Sequence, residues 1–218
     1  MSELVIRIGT DERIRIEEME NGITHVKDIR LEDLMNCIRR SADWNISSGL
    51  LPEGCIAYSE FENGDKCVTL LCRQERADIT YYQTVYEEFP LPQLVFGFRI
   101  TAEGRIRNSI LGVTERNVRL KPSSQMYCYP FSNVRKFFLC TGNNVMPQCA
   151  SLHTLASVPH LILSMPNNDD FFCQENNQKE MGLRELFEHL KDKTPEYYYS
   201  DILLPMKGVT LGDFLSWR

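Results

Sequence analysis

No Cys-x-x-Cys pair occurs in this 218-residue chain, although it holds eight cysteines, and none of its four histidines is spaced as a ligand beside them. The first ligands of a zinc site come in close pairs, so no metal centre is expected, and no motif points to a cofactor. Positive charge is also short. Lys plus Arg number 24 against 30 Asp plus Glu, a formal charge of −6. That balance argues against nonspecific binding to nucleic acid, which needs a basic face to displace counterions. The N-terminal stretch MSELVIRIGTDER has no basic start followed by an apolar run, so no signal peptide is expected. The one long uncharged run, Thr141 to Asn168, carries Asn, Gln, His, Ser and three prolines and cannot be a membrane span. Internal repeats and low-complexity tracts are missing too.

What remains is an ordinary globule, 43% hydrophobic and 25% charged. At roughly 150 residues per domain, its length predicts one domain with additions or two small ones. The cysteines are Cys37, Cys55, Cys67, Cys72, Cys128, Cys140, Cys149 and Cys173. With nothing pointing to secretion and a chain large enough to fold without staples, they read as reduced cytoplasmic thiols. Most of them, Cys37, Cys67 or Cys72, and Cys128 included, are expected to be buried and unpaired small hydrophobes.

The opening reads as strands, with Leu4, Ile6 and Ile8 alternating, then Ile14 and Ile16, then a Glu20-Asn21-Gly22 turn before Ile23 to Val26. Leu31, Leu34, Met35 and Ile38 fall at helical spacing, acidic at the start (Glu32, Asp33) and basic at the end (Arg39, Arg40), which suits the helix dipole. After a loop at 47–54 come segments 55–61 and 66–73, joined by the hairpin signal Glu62-Asn63-Gly64-Asp65. A third segment at 78–87 and a pair at 93–101 and 105–113, joined by Ala102-Glu103-Gly104, complete an antiparallel meander. The helix near 30–41 is expected to bury its stripe on this meander. Beyond 114 the chain turns irregular, with a short strand at Gln125 to Tyr129. Ser151 to Met165 is helical in spacing, with Pro159 opening a new helix. Further helices are expected over 180–191 and Thr210 to Trp217. The layout is α+β.

Chemistry concentrates in residues 126–149, MYCYPFSNVRKFFLCTGNNVMPQC, where Cys140 follows Asn133 by seven positions. Irregular segments on a rigid scaffold are where function is usually placed. Composition alone leaves two readings of Cys140 open, a buried core thiol or a nucleophile where a strand ends at Thr-Gly-Asn-Asn.

The run Pro130-Phe131-Ser132-Asn133-Val134, followed by Cys140-Thr141-Gly142, resembles the bacterial branch of the ubiquitin-conjugating-enzyme superfamily. That branch includes the plasmid-borne PRTRC system protein B family (prokaryotic conjugating-enzyme-like family D). A second landmark, Pro166-Asn167-Asn168-Asp169-Asp170, stands about thirty residues beyond Cys140, as in those relatives. Phe131 and Ser132 occupy the family's His and Pro positions, and Arg-Lys-Phe-Phe at 135–138 replaces its Asp-Gly turn. The resemblance covers about 30–175 of a single domain spanning 1–218. A β extension at 1–28 and a helical extension at 176–218 flank that core.

The resemblance implies a conjugating-enzyme-like α+β fold, an antiparallel meander packed on helices with an N-terminal hairpin and C-terminal helical additions. It implies that Cys140 carries a ubiquitin-like protein as a thioester and passes it to an amine. Sulfur is needed because thioesters exchange readily while esters and amides do not. Asn133 takes the position that steadies the loop or the oxyanion, and Asp170, ahead of Asp169, the position that orients the incoming lysine. Implied partners are a ubiquitin-like protein, an activating-enzyme-like (ThiF-type) protein and a metalloprotease-like deubiquitinase. The residues leave two alternatives, a cysteine hydrolase using His153 or His160 as base and a noncatalytic binding module of the same fold. The Phe171-Phe172 pair and Leu211, Phe214, Leu215 and Trp217 are expected to cover core.

Overall fold

The computed structural model describes residues 3–9, 13–20, 22–41, 47–116 and 118–217. Asn21 of the expected first turn lies outside them. The chain forms two compact units, 1–48 and 49–218, so the second begins later than the core boundary the resemblance suggests.

In the first unit, β1 (Glu3–Ile8), β2 (Arg13–Glu20) and β3 (Ile23–Arg30) make an antiparallel sheet. Glu20 pairs with Ile23, so the turn between them holds two residues, the second being Gly22 at φ +80°. Such a tight turn needs the left-handed region, which glycine enters freely. Helix α1 (Leu31–Ser41) follows β3 without a linker and packs on β2 and β3. Of its apolar stripe only Leu34 is buried, while Leu31, Met35 and Ile38 stay exposed. Within its own unit the helix, joined to β3 without a loop, folds back on the sheet it leaves.

The second unit is mixed α+β and mostly antiparallel. Its main sheet is built on β4 (Cys55–Glu60), β5 (Lys66–Cys72), β8 (Leu94–Ile100) and β9 (Ile106–Thr114). It extends through the two-residue strands β12 (Phe138–Leu139) and β11 (Val134–Arg135), giving the order β11-β12-β9-β8-β5-β4. Strand β10 (Gln125–Tyr127) pairs with β9 and with β13 (Pro205–Thr210). Central strand β8 is buried almost throughout, so both its faces carry core. On one face Phe96, Phe98, Leu111 and Val113 join the large cluster, which includes α2 (Val158–Leu163) and α3 (Leu183–Leu190). On the other, Val95, Ile110 and Met126 pack with Leu211 and Phe214 of α4 (Leu211–Leu215). The Phe214 ring lies against Gly112, where an added Cβ would fall 2.6 Å from Met126 and 3.1 Å from Phe214.

Two corrections concern segments read from pattern alone. Residues 78–87 are not one strand. They belong to a separate hairpin, β6 (Arg76–Tyr81) and β7 (Thr84–Pro90), that turns at Tyr82 with φ +51°. The 176–218 region is not a helical addition: α3, Tyr198 and Leu203 sit inside the main core, and β13 is a strand of the main sheet. Thr210 does begin a short helix, through a reciprocal capping box with Asp213. Pro159 does stand in the first turn of α2.

The thiols are the third correction. No disulfide links the eight cysteines, all of them among the described residues, but Cys149 alone is buried and Cys37 is exposed. Cysteine is small enough to tolerate a half-buried strand position as well as a core one. No helix of the described residues is long and apolar enough to cross a membrane.

Candidate active site

The segment leading to Cys140 is held from below by aromatic packing. The Phe131 ring stacks on Phe187 of α3 at 5.0 Å and meets Phe89 edge-on at 5.8 Å. Each such ring pair contributes about 0.5–1.5 kcal/mol beyond its buried area. Phe131 thus anchors the loop by burial. Ser132 is also buried, its Oγ 3.4 Å from Oδ1 of Asn167.

Asn133 then turns the chain with φ +65°, in the left-handed region that asparagine tolerates better than most residues. The seven-position spacing to Cys140 closes as a hairpin. Val134 pairs with Leu139 and Arg135 with Phe138, leaving Lys136 and Phe137 as the turn. The turn in Arg135-Lys136-Phe137-Phe138 is made with Lys136 taking the positive φ, +57°. Phe137 secures it: its ring packs edge-on against Phe214 at 5.0 Å and its carbonyl accepts from the Leu111 amide at 2.8 Å. The ladder continues one pair further, the Cys140 N–H donating to the Asn133 carbonyl at 2.8 Å. Cys140 and Asn133 are thus cross-strand neighbours by backbone geometry.

The Pro166–Asp170 stretch arrives at the same place. The Asn133 N–H donates to the Asp170 carbonyl at 2.7 Å. The stretch is itself tied to the β6–β7 hairpin. Asn167 donates its N–H to the Thr80 carbonyl at 2.7 Å and accepts from the Tyr82 N–H at 2.9 Å. The phenols of Tyr81 and Tyr82 donate to the two carboxylate oxygens of Asp169 at 2.7 and 2.9 Å. Asp169 is therefore a structural clamp. Burial, and then the hydrogen bond to Asp169, pushes the Tyr81 phenol up to about 12. Asp170 is exposed, its side chain accepting from the Asn168 amide at 2.9 Å.

Cys140, Asn133 and Ser132 rim a cleft whose walls are apolar, among them Leu139, Ile162, Leu163 and Met165. Cys140 is half-buried there. Among the described residues the Asn133 side-chain amide has no hydrogen-bond partner, and Asn133 lines the same cleft as Cys140. His153 and His160 are exposed and neither lines the cleft. Burial raises the thiols of Cys55, Cys72 and Cys128, making them poorer nucleophiles. No group of His, Cys, Asp and Glu among the described residues is arranged to hold a metal ion.

Sequence reasoning picks out Asn133, Cys140 and Asp170, and all three meet here, through backbone groups. It misses Tyr81 and Tyr82, whose hydrogen bonds to Asp169 cross 88 and 87 positions of sequence. Comparison with known proteins returns no matching family model, no significantly similar curated protein and no significantly similar solved structure.

Proposed function

We propose that the chain is a bacterial ubiquitin-conjugating-like protein of cytoplasmic, mobile-element systems. In this reading it carries a ubiquitin-like protein as a thioester on Cys140. The observation behind it is the junction of the two landmarks: Cys140 bonded to Asn133 at 2.8 Å, and Asn133 to Asp170 at 2.7 Å, on an antiparallel sheet. Two weak sequence signals more than twenty-five residues apart meeting at one half-buried thiol is what a single site requires.

The chemistry then follows. The Cys140 thiolate attacks the thioester that an activating enzyme presents; a new C–S bond forms and the activating enzyme's thiol leaves. An acceptor lysine next attacks the carbonyl, the tetrahedral oxyanion collapses to an amide, and the Cys140 sulfur leaves and takes a proton. Asn133's free amide is the donor available to that oxyanion, a contact worth about 3–4 kcal/mol in other acyl-transfer sites. The exposed Asp170 carboxylate is the acidic group at the junction that would orient an incoming ammonium. The apolar cleft wall keeps water from the thioester.

Charging with the cognate activating enzyme, the ubiquitin-like protein and ATP tests this. Wild type should form an adduct that dithiothreitol removes, and Cys149→Ser should form it equally. Cys140→Ser should lose it or trap it as a reductant-resistant ester. A wild-type chain that binds its partners without forming any adduct would make it the noncatalytic binding module of the same fold.

A further inference from the structure

The cleft beneath Cys140 holds a polar group that the carrier chemistry leaves unused. Tyr129 lines it, together with Leu111, Ile162, Leu163 and Met165. Its ring packs edge-on against Phe131 at 5.6 Å, and Phe131 is itself stacked on Phe187. Tyr81, Tyr86 and Tyr198, all buried, each donate to an acceptor, at 2.7, 2.8 and 2.8 Å. Tyr129 has no hydrogen-bond partner among the described residues, although burial alone pushes its phenol up. Tyrosine hydroxyls placed so deep ordinarily find one. Thr114 Oγ1 is the single unpartnered side-chain N or O atom among the described residues that is closed to solvent. The Tyr129 oxygen, also unpartnered, therefore keeps accessible surface, and the cleft is the cavity that Tyr129 lines.

We propose that the cleft binds a short acyl chain with an oxygen near its far end, taken by Cys140 from a small-molecule thioester and recognised by the Tyr129 hydroxyl. This rests on the reading of Cys140 as a thioester carrier. The size fits. Water-sized centres have about 40 Å³ in the cleft, room for about three waters at ~10–15 Å³ each. Waters are poor occupants, since each needs about two to four polar partners. The walls are apolar, and the side-chain amide of Asn167 is already bonded to Thr80 and Ser132. A purely apolar chain is a poor occupant too, because it desolvates the phenol and leaves it unpaired. A chain of about four carbons bearing one acceptor oxygen meets both demands, its volume matching roughly three waters. The exchange balances: the Cys140 thiolate attacks the donor's carbonyl carbon and a new C–S bond forms. The donor's C–S bond breaks, and its departing thiolate takes up the proton that Cys140 released.

The test incubates the full chain with the N-acetylcysteamine thioesters of valeric and levulinic acids, the second carrying one added ketone oxygen. Acylation of Cys140 is followed by intact mass and peptide mapping, and each rate is divided by that of the same donor with free cysteine. Wild type should take the keto chain about 10-fold faster, the discrimination of a site that pairs a buried polar group. Tyr129→Phe should erase that preference, and its urea midpoint should stay level or rise, since the lost hydroxyl had no partner. An even normalised ratio in wild type, a preference that survives in Tyr129→Phe, a lowered midpoint, or no acylation of Cys140 overturns the proposal. The wild-type ratio decides even where the variant fails to fold. The carrier reading is judged separately, by the adduct with a ubiquitin-like protein: that adduct on a chain with an even ratio removes the acyl-chain inference alone.

Discussion

Asn133 does two jobs that substitution can separate. Its backbone, at φ +65°, bonds Cys140 and Asp170, while its side-chain amide is free. Glycine accepts that φ without cost, so Asn133→Gly should keep the fold and the Cys140 thioester yet slow transfer to lysine about 100-fold, the loss of one oxyanion donor. Single-turnover discharge of charged protein onto free lysine measures it; an unchanged rate would make Asn133 a purely structural turn residue. The candidates Asn133, Cys140 and Asp170 were legible because motif spacing survives in a sequence. Asp169 is different. Nothing local to it announces Tyr81 and Tyr82 as partners, and its carboxylate is spent on them. Asp169→Ala should therefore lower stability by about 1–3 kcal/mol, the cost of leaving a buried phenol without its acceptor. Urea denaturation checks this, and a neutral result would contradict the clamp.

At the scale of elements, the hairpin from Asn133 to Cys140 carries its cost at Lys136. A non-glycine residue at φ +57° gives up about 1–2 kcal/mol, part of which glycine returns as unfolded-state entropy. Lys136→Gly should raise stability by about 0.5–1 kcal/mol and leave charging of Cys140 unchanged; a loss of stability would mean that the Lys136 side chain makes a contact of its own. The same hairpin shows why sequence reading falls short for short strands. Val134–Arg135 and Phe138–Leu139 are two residues each, too brief for periodicity, and their turn lacks Gly, Asn or Pro. Tyr82 hides the β6–β7 turn for the same reason, whereas Asn63-Gly64 and Glu103-Gly104 mark theirs plainly. Helices α1 and α3 were readable from their i, i+3, i+4, i+7 stripes, though a stripe does not name the surface that receives it.

For the molecule as a whole, the α+β class and the antiparallel meander follow from alternation and turn chemistry, and the division at Ser48 falls in the Ser- and Gly-bearing loop at 47–54. The core is rich in tyrosine, which makes stability sensitive to alkali. Burial, reinforced by acceptor carboxylates at Glu60, Asp169 and Glu188, pushes Tyr58, Tyr81 and Tyr86 up to about 12. Burial does the same for Tyr199. The unfolded phenols ionise near 10. Their raised folded values stabilise the protein fully below pH 10, and this is lost as pH rises from about 10 to about 12, where the unfolded chain holds fewer protons. Denaturation midpoints should fall between pH 10 and 12, with a shallower fall in Tyr81→Phe; a fall over that range no smaller in Tyr81→Phe would contradict the burial of this phenol. The central claim rests on one sulfur. Its most direct test is peptide mapping by mass spectrometry of the chain charged with its ubiquitin-like partner, kept unreduced. The account expects the partner's C-terminal residues on the peptide containing Cys140 and unmodified thiols at the other seven cysteines. An adduct on any other cysteine, or a Cys140 peptide unmodified in fully charged protein, would contradict it.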